Sequence, residues 1–301
     1  MVEKYSIRTD LALEQKERFE ADNVEIPGVI LEEKYNEEKD LRVTTVKIKT
    51  KKGAKTMRKP IGTYITIEAP RMMEEDEESN QEVVQELKNH LEKLVSQDKE
   101  EHAFLIVGLG NRKVTPDALG PYVVDQMNIT RHIVKEYGKY ATGREKVHLI
   151  SAIVPGVMGQ TGMETVEIVK GIVSETKPDF VIAIDALAAR SSRRLNRTVQ
   201  ITDTGICPGS GVGNHRNAID KEAVGVPVIA IGVPTVVDAA TIVNDAMENL
   251  IRELESSEKY ELVKELVSPH LNGMFVTPKD IDETVRRISY IISDAINQLF
   301  E

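Results

Sequence analysis

Two short apolar runs in this 301-residue chain end on the same tripeptide. Phe104-Leu105-Ile106-Val107 leads through Gly108-Leu109-Gly110-Asn111 to Asp117-Ala118-Leu119, and Phe180-Val181-Ile182-Ala183-Ile184 runs directly into Asp185-Ala186-Leu187. Unbroken apolar runs of this length are the pattern of strands buried on both faces. From Phe104 onward such runs alternate with stretches of helical period. Strands are predicted near Val107, over Val147–Ile153, at Phe180–Ile184, at Thr198–Thr202 and at Val226–Ile231. Helices are predicted from Ala118 to about Val134, from about Gly162 to Thr176, over Val236–Leu254, over Ser256–Val267 and over Pro278–Phe300. This alternation predicts an α/β fold, a three-layer and mostly parallel sheet with helices on both faces.

The N-terminal third reads differently. Val43–Ile48 and Thr63–Ile67 are β-rich, with turns at Gly53 and Pro60-Ile61-Gly62, so a β-rich part is expected over about residues 24–70. The acidic run Glu74–Glu78 opens a helix that carries Val83, Val84, Leu87, Leu91 and Leu94 at a 3.6-residue period. Ahead of these, the chain up to about Asp22 is polar, with a small amphipathic patch at Leu11, Leu13 and Phe19. The stretch Asp203–Gly225 is glycine-rich and weakly periodic, the character of a functional loop.

Composition narrows the function classes. Hydrophobic residues make up 41% and charged residues 29%, enough for a core without covalent staples. A single cysteine, Cys207, forms no intramolecular disulfide. No apolar leader follows Met1 and no apolar stretch approaches a membrane span, so a cytoplasmic protein is expected. The net charge of −10 argues against direct nucleic-acid binding, which needs a basic footprint.

Ligands of open α/β sheets sit outside the carboxyl ends of the strands. Asp117 and Asp185 are each delivered to that edge by a buried strand. Two carboxylates brought together share a proton, so that one acts as base and the other as acid. Taken singly, Asp117 reads as a helix N-cap and Asp185 as a cap or turn residue after its strand. The loop Gly108-Leu109-Gly110-Asn111 aims backbone amides at a phosphate or an oxyanion, as does Gly209–Asn214. Neither is followed by Lys-Ser/Thr, and Lys113 stands where a dinucleotide fingerprint needs its third glycine. Glu164, Asp203 and Asp238 are competing acids, whereas Asp179 precedes its strand and belongs at the opposite edge. No Gly-x-Ser-x-Gly elbow and no His-Glu-x-x-His helix occurs, and the six histidines show no metal-ligand spacing. Cys207 has no base nearby in sequence. A nucleotide- or phosphate-binding α/β module and a metal-assisted maturation endopeptidase are the alternatives to an aspartate-based hydrolase.

Longer runs carry a resemblance. Val114-Thr115-Pro116-Asp117-Ala118-Leu119-Gly120-Pro121, Pro155-Gly156-Val157-Met158-Gly159, Ile184-Asp185-Ala186-Leu187-Ala188-Ala189-Arg190-Ser191 and Gly232-Val233-Pro234-Thr235-Val236-Val237-Asp238-Ala239 resemble the germination proteases of spore-forming bacteria. So do Arg8-Thr9-Asp10-Leu11-Ala12 and Phe275-Val276-Thr277-Pro278-Lys279, so the resemblance spans nearly the whole chain. It implies an endopeptidase of the forespore and spore core that degrades small acid-soluble spore proteins during germination. It further implies a zymogen, a homotetramer, no cofactor or metal, and a fold like that of hydrogenase-maturation endopeptidases. The family's proposed catalytic aspartates fall on Asp117 and Asp185. Processing would fall between Asp10 and Leu11, making residues 1–10 a propeptide and 11–301 a single peptidase domain. Thr9-Asp10-Leu11 places an acid before an apolar residue, similar to the bonds cut in the spore proteins. Arg112-Lys113 departs from the family pattern and is expected to lower the pKa of Asp117. The tripeptide Asp203-Thr204-Gly205 is read as a coincidence, because an aspartic-protease dyad needs two such loops in a bilobed β fold.

Overall fold

The computed structural model describes residues 9–21, 26–74, 76–95, 98–210, 216–243 and 273–301. One nine-stranded mixed sheet organises them, in the order β1-β2-β3-β7-β8-β6-β4-β5, with β9 paired to β8. The strands are β1 (Val29–Asn36), β2 (Leu41–Ile48), β3 (Gly62–Glu68), β4 (Ala103–Gly108), β5 (Leu149–Ile153), β6 (Phe180–Ala189), β7 (Thr198–Thr202), β8 (Val228–Asp238) and β9 (Phe275–Val276). Strands β8, β6, β4 and β5 are parallel. Every other pairing is antiparallel, so the expectation of a mostly parallel sheet holds only for the β8-β6-β4-β5 part. The β-rich N-terminal part does not stand apart: β3 pairs with β7 and extends the same sheet.

Alternation along the central strands builds the layers. Phe104 and Ile106 of β4, with Ile182 and Ile184 of β6, enter one core with Val83, Leu87 and Leu91 of α3 (Glu77–Leu94) and Leu119 and Val123 of α4 (Leu119–Asp125). The C-terminal helix Ile281–Leu299 joins that core through Val285, Ile288, Ile292 and Ile296, the helical period that the sequence shows. Leu105 and Val107, with Val181 and Ala183, face the other way, onto Val169 and Val173 of the helix Thr165–Thr176. The acidic start of α3 is fixed by Asp76, whose side chain accepts from the Ser79 amide.

Four sequence expectations are corrected. Gly53 lies inside the helix Lys51–Met57 rather than in a turn, because Thr50 caps that helix by accepting from the Gly53 amide at 3.0 Å. The helix expected from Ala118 to Val134 is broken into α4 and Arg131–Tyr137. The break lets the Thr130 hydroxyl donate to the His148 carbonyl and accept from the Ile150 amide, tying the connection to β5. Strand β6 continues to Ala189 instead of stopping at Ile184, since β8 pairs with it as far as Ala189↔Val237. For the same reason Val236-Val237-Asp238 ends β8 rather than opening a helix, and helical backbone begins only at residue 239. The expected helix over residues 244–254, the helix over 256–267, the loop residues 211–214 and the segment 1–8 lie outside the described residues. Among the described residues no helix is long and apolar enough to cross a membrane.

Candidate active site

The crevice lies where the parallel strands end. The last β4–β6 pair is Gly108↔Ile184, and the Leu109 amide still donates to the Ile184 carbonyl at 2.8 Å. Asp185 is the next residue of β6, paired on its other side with Gly232 of β8. It is therefore a mid-strand residue uncovered by the end of β4, which sets aside the alternative of a cap or turn residue after the strand. From β4 the chain goes first to β5 on one side and then to β6 on the other, the reversal of strand order at which open sheets bind ligands.

Asp117 arrives by a different route. It ends a 3₁₀ turn, Thr115–Asp117, and the next residue, Ala118, is the one that caps α4. The Asp117 carboxylate turns back to the glycine loop and accepts from the Asn111 amide at 2.8 Å. The Thr235 hydroxyl of β8 donates to the Pro116 carbonyl at 2.6 Å and pins this turn over the sheet. Gly110 is required here: its φ is +110°, and a Cβ would come within 2.0 Å of the Asp117 carbonyl. The loop amides of Leu109 and Asn111 are thus engaged within the protein, so the oxyanion role expected for the whole loop is not open to them.

Asp10, Asp117 and Asp185 line one cleft of about 560 Å³, together with Gly110, Met158 and Arg216. Asp185 is only 4% exposed. Burial, then the charges of Asp117 and Asp10, push its carboxyl well above the ordinary range. Asp117 is also raised by burial, against the opposing hydrogen bond from Asn111. The lowering expected from Arg112 does not occur, because Arg112 turns away to pair with Asp125. Glu164 sits outside the cleft, capping the helix Thr165–Thr176 and lying 3.8 Å from Arg216. Asp203 accepts from the Thr63 amide at 2.8 Å and ties the start of β3 to the chain leaving β7, and Asp238 accepts from the Ala240 amide at 2.9 Å and holds a local turn. Asp179 lies at the opposite edge, as expected, and accepts from the Ala103 amide at 2.8 Å.

A segment of the chain already occupies this crevice. Past Ile184, β6 has no β4 partner, and residue 10 takes that place. The Asp10 amide donates to the Ala188 carbonyl, and the Ala188 amide donates to the Asp10 carboxylate, each at 3.0 Å. The Ser210 hydroxyl donates to the other carboxylate oxygen at 2.6 Å. Lys59 Nζ donates to the Asp10 carbonyl at 2.8 Å. Leu11 is fully buried against Leu187, Ala189 and Val237. The helix Ala12–Ala21 continues from it, and Glu14 accepts from the Arg190 and Ser191 amides at 2.7 and 3.0 Å.

The family model described as "Germination protease" matches residues 7–254. The chain is 48% identical to the germination protease of Caldanaerobacter subterraneus subsp. tengcongensis, over 99% of this chain and 95% of that relative. It is 46% identical to that of Clostridium perfringens strain 13, over 97% and 94% of the two chains. To the Bacillus subtilis strain 168 germination protease it is 39% identical, over 98% and 94%. The chain belongs to the germination protease family. The matched region holds β4, β6, β8 and both crevice aspartates. Among the described residues, no group of three or more His, Cys, Asp or Glu side chains is arranged to hold a metal ion. Lys59 lies in no motif, and Ser210 is visible in the sequence only as part of the glycine loop Gly209–Asn214; the tertiary contact with Asp10 is what singles out both side chains.

Proposed function

We propose that this member of the family is an endopeptidase made as a zymogen, which hydrolyses small acid-soluble spore proteins after an acidic residue that precedes an apolar one, using Asp117 and Asp185. The observation that carries this reading is the seating of Asp10-Leu11, an acid before an apolar residue, on the free edge of β6 in the cleft that both aspartates line. Pairing along a free strand edge is the general way in which a site holds an extended peptide. Residues 1–10 then act as a substrate-like latch, and Leu11 becomes the first residue of the active form. The raised carboxyl of Asp185 favours its protonated form, suited to protonating the leaving amine. Asp117, whose anion the Asn111 amide supports, is suited to taking a proton from water. A homotetramer confined to the forespore and spore core completes the proposal.

The test is mass spectrometry of a small acid-soluble spore protein incubated with three forms: the full chain, a form starting at Leu11, and the shortened form carrying Asp117→Asn. Cuts after an acid by the unsubstituted shortened form alone are expected. Failure of every form to cut overturns the reading.

The acid preference has its own expected outcome. Among the described residues, the Ser210 hydroxyl and the Ala188 amide meet the Asp10 carboxylate. A hydrogen bond to a charged group contributes about 1.5–3 kcal/mol. Ser210→Ala in the shortened form should therefore lower kcat/KM on acid-containing peptides roughly 10- to 100-fold, and spare peptides with glutamine at that position more. Equal loss on both peptides, measured in parallel, would remove Ser210 from the specificity pocket.

A further inference from the structure

Lys59 and Gln200 converge on one atom. Lys59 leaves the helix Lys51–Met57 through Arg58, whose left-handed backbone (φ 50°) closes that helix, and Pro60 follows it. Its Nζ donates to the Asp10 carbonyl at 2.8 Å. Gln200, buried in the middle of β7 between Thr66 of β3 and Gly232 of β8, reaches the same carbonyl with Nε2 at 3.4 Å. Its Oε1 accepts from the Ala12 amide at 2.7 Å. One glutamine side chain therefore spans the Asp10–Leu11 bond from the carbonyl before it to the amide of the residue after Leu11. Lys59, Gln200, Asp10 and Asp185 line a second cavity of about 180 Å³ that shares Asp10 and Asp185 with the cleft.

A preorganised donor aimed at a reacting carbonyl, away from bulk water, is the main means by which hydrolases stabilise the charge that develops there. The engaged amides of Leu109 and Asn111 leave that need to other groups. We propose that Lys59 is a catalytic residue: its ammonium, assisted by the Gln200 amide, polarises the carbonyl of the acidic residue before the scissile bond and holds its oxygen as an oxyanion. This assignment rests on the reading of Asp10-Leu11 as a substrate-like segment. Water adds its oxygen to the carbonyl carbon and gives its proton to Asp117, while the C=O π pair moves to the oxygen facing Lys59. When that pair returns, the C–N bond breaks, and the nitrogen takes the proton of Asp185. The products are a carboxylic acid and an amine.

The competing role for Lys59 is a strap that only holds residues 1–10 in place. The shortened form separates the two, because the strap then has nothing to hold. In that form Lys59→Met should lower kcat about 10²–10³-fold on a synthetic peptide copying residues 4–17, with KM little changed. Methionine replaces a half-buried lysine by an apolar chain of similar length, so thermal stability should hold or rise. Lys59→Gln keeps a neutral N–H donor and should recover part of the lost kcat; it also serves as the reading variant if Lys59→Met does not fold. Unchanged kcat in the variant that folds overturns the assignment while leaving the protease reading intact, since the shortened parent still cuts. Failure of the shortened parent to cut the peptide overturns both.

Discussion

Asp185→Asn in the shortened form should abolish peptide cleavage and at the same time raise the melting temperature at neutral pH. Asparagine retains an oxygen to accept from the Ala186 amide, which donates to Asp185 Oδ1 at 2.9 Å, so the strand need not move. It cannot supply a proton to a leaving amine, and loss of a positioned acid or base costs about 10²–10⁴-fold in rate. The stability change has the opposite sign for a reason already visible in the site. In the full chain Asp185 is almost fully buried, and its carboxyl is held well above the ordinary value of 3.8 by burial first, then by Asp117 and Asp10. The shortened form lacks the Asp10 charge and keeps Asp117 and the strand setting of Asp185. A group whose folded pKa is raised binds its proton more tightly in the native state. The stability it confers is complete below the unfolded value and is lost as pH rises through the folded value. Asparagine does not titrate. The variant should therefore match the parent below pH 3.8 and exceed it increasingly above that point. Circular-dichroism melts of both forms across pH, paired with kcat measurements, read the two effects separately. A variant less stable than the parent at neutral pH would contradict the burial argument, and full activity would remove Asp185 from the chemistry.

That pairing of effects traces back to features legible in the sequence. The apolar runs ending in Asp-Ala-Leu do form neighbouring parallel strands, and both aspartates reach one crevice. What the pattern missed is tertiary in origin. Ala186-Leu187-Ala188-Ala189 has no β-branched residue, yet it is strand because β8 offers nine pairing positions along β6. The exposed β1, with charges at Glu32, Glu33 and Lys34, shows little apolar alternation and is held by its register with β2. Asp117 carries the signature of a helix cap, but the Asn111 amide competes for the same carboxylate and wins. Lys59 gives no signal at all: a lysine before a proline resembles any surface turn until the Asp10 carbonyl is placed against it.

Gly120→Ala should destabilise the protein by about 3 kcal/mol or more, against the usual effect of this exchange in a helix. Glycine inside a helix ordinarily costs roughly 0.5–1 kcal/mol relative to alanine, so the backbone alone would favour the variant. The surroundings decide otherwise. A Cβ at Gly120 would stand 2.4 Å from the Leu109 carbonyl oxygen, 2.5 Å from the Leu109 nitrogen and 2.6 Å from the Ile184 carbonyl oxygen. Two of those atoms make the Leu109–Ile184 hydrogen bond that closes β4 onto β6. All three are backbone, so no side chain can swing aside to relieve the contact. Gly108 faces the same junction from the other side: a Cβ there would meet the Gly120 carbonyl at 2.3 Å. Helix α4 is thus seated directly on the strand ends that present Asp185, with the Asp117 turn immediately before it. Displacing the helix moves both aspartates, so activity should fall together with stability. Gly171→Ala is the matched control. It lies in the helix Thr165–Thr176 with nothing within 4 Å of its Cβ position, and there alanine should stabilise by up to about 1 kcal/mol. Urea midpoints of the two variants should move in opposite directions. A Gly120→Ala midpoint at or above that of the parent would mean that this junction yields more readily than its three backbone contacts allow.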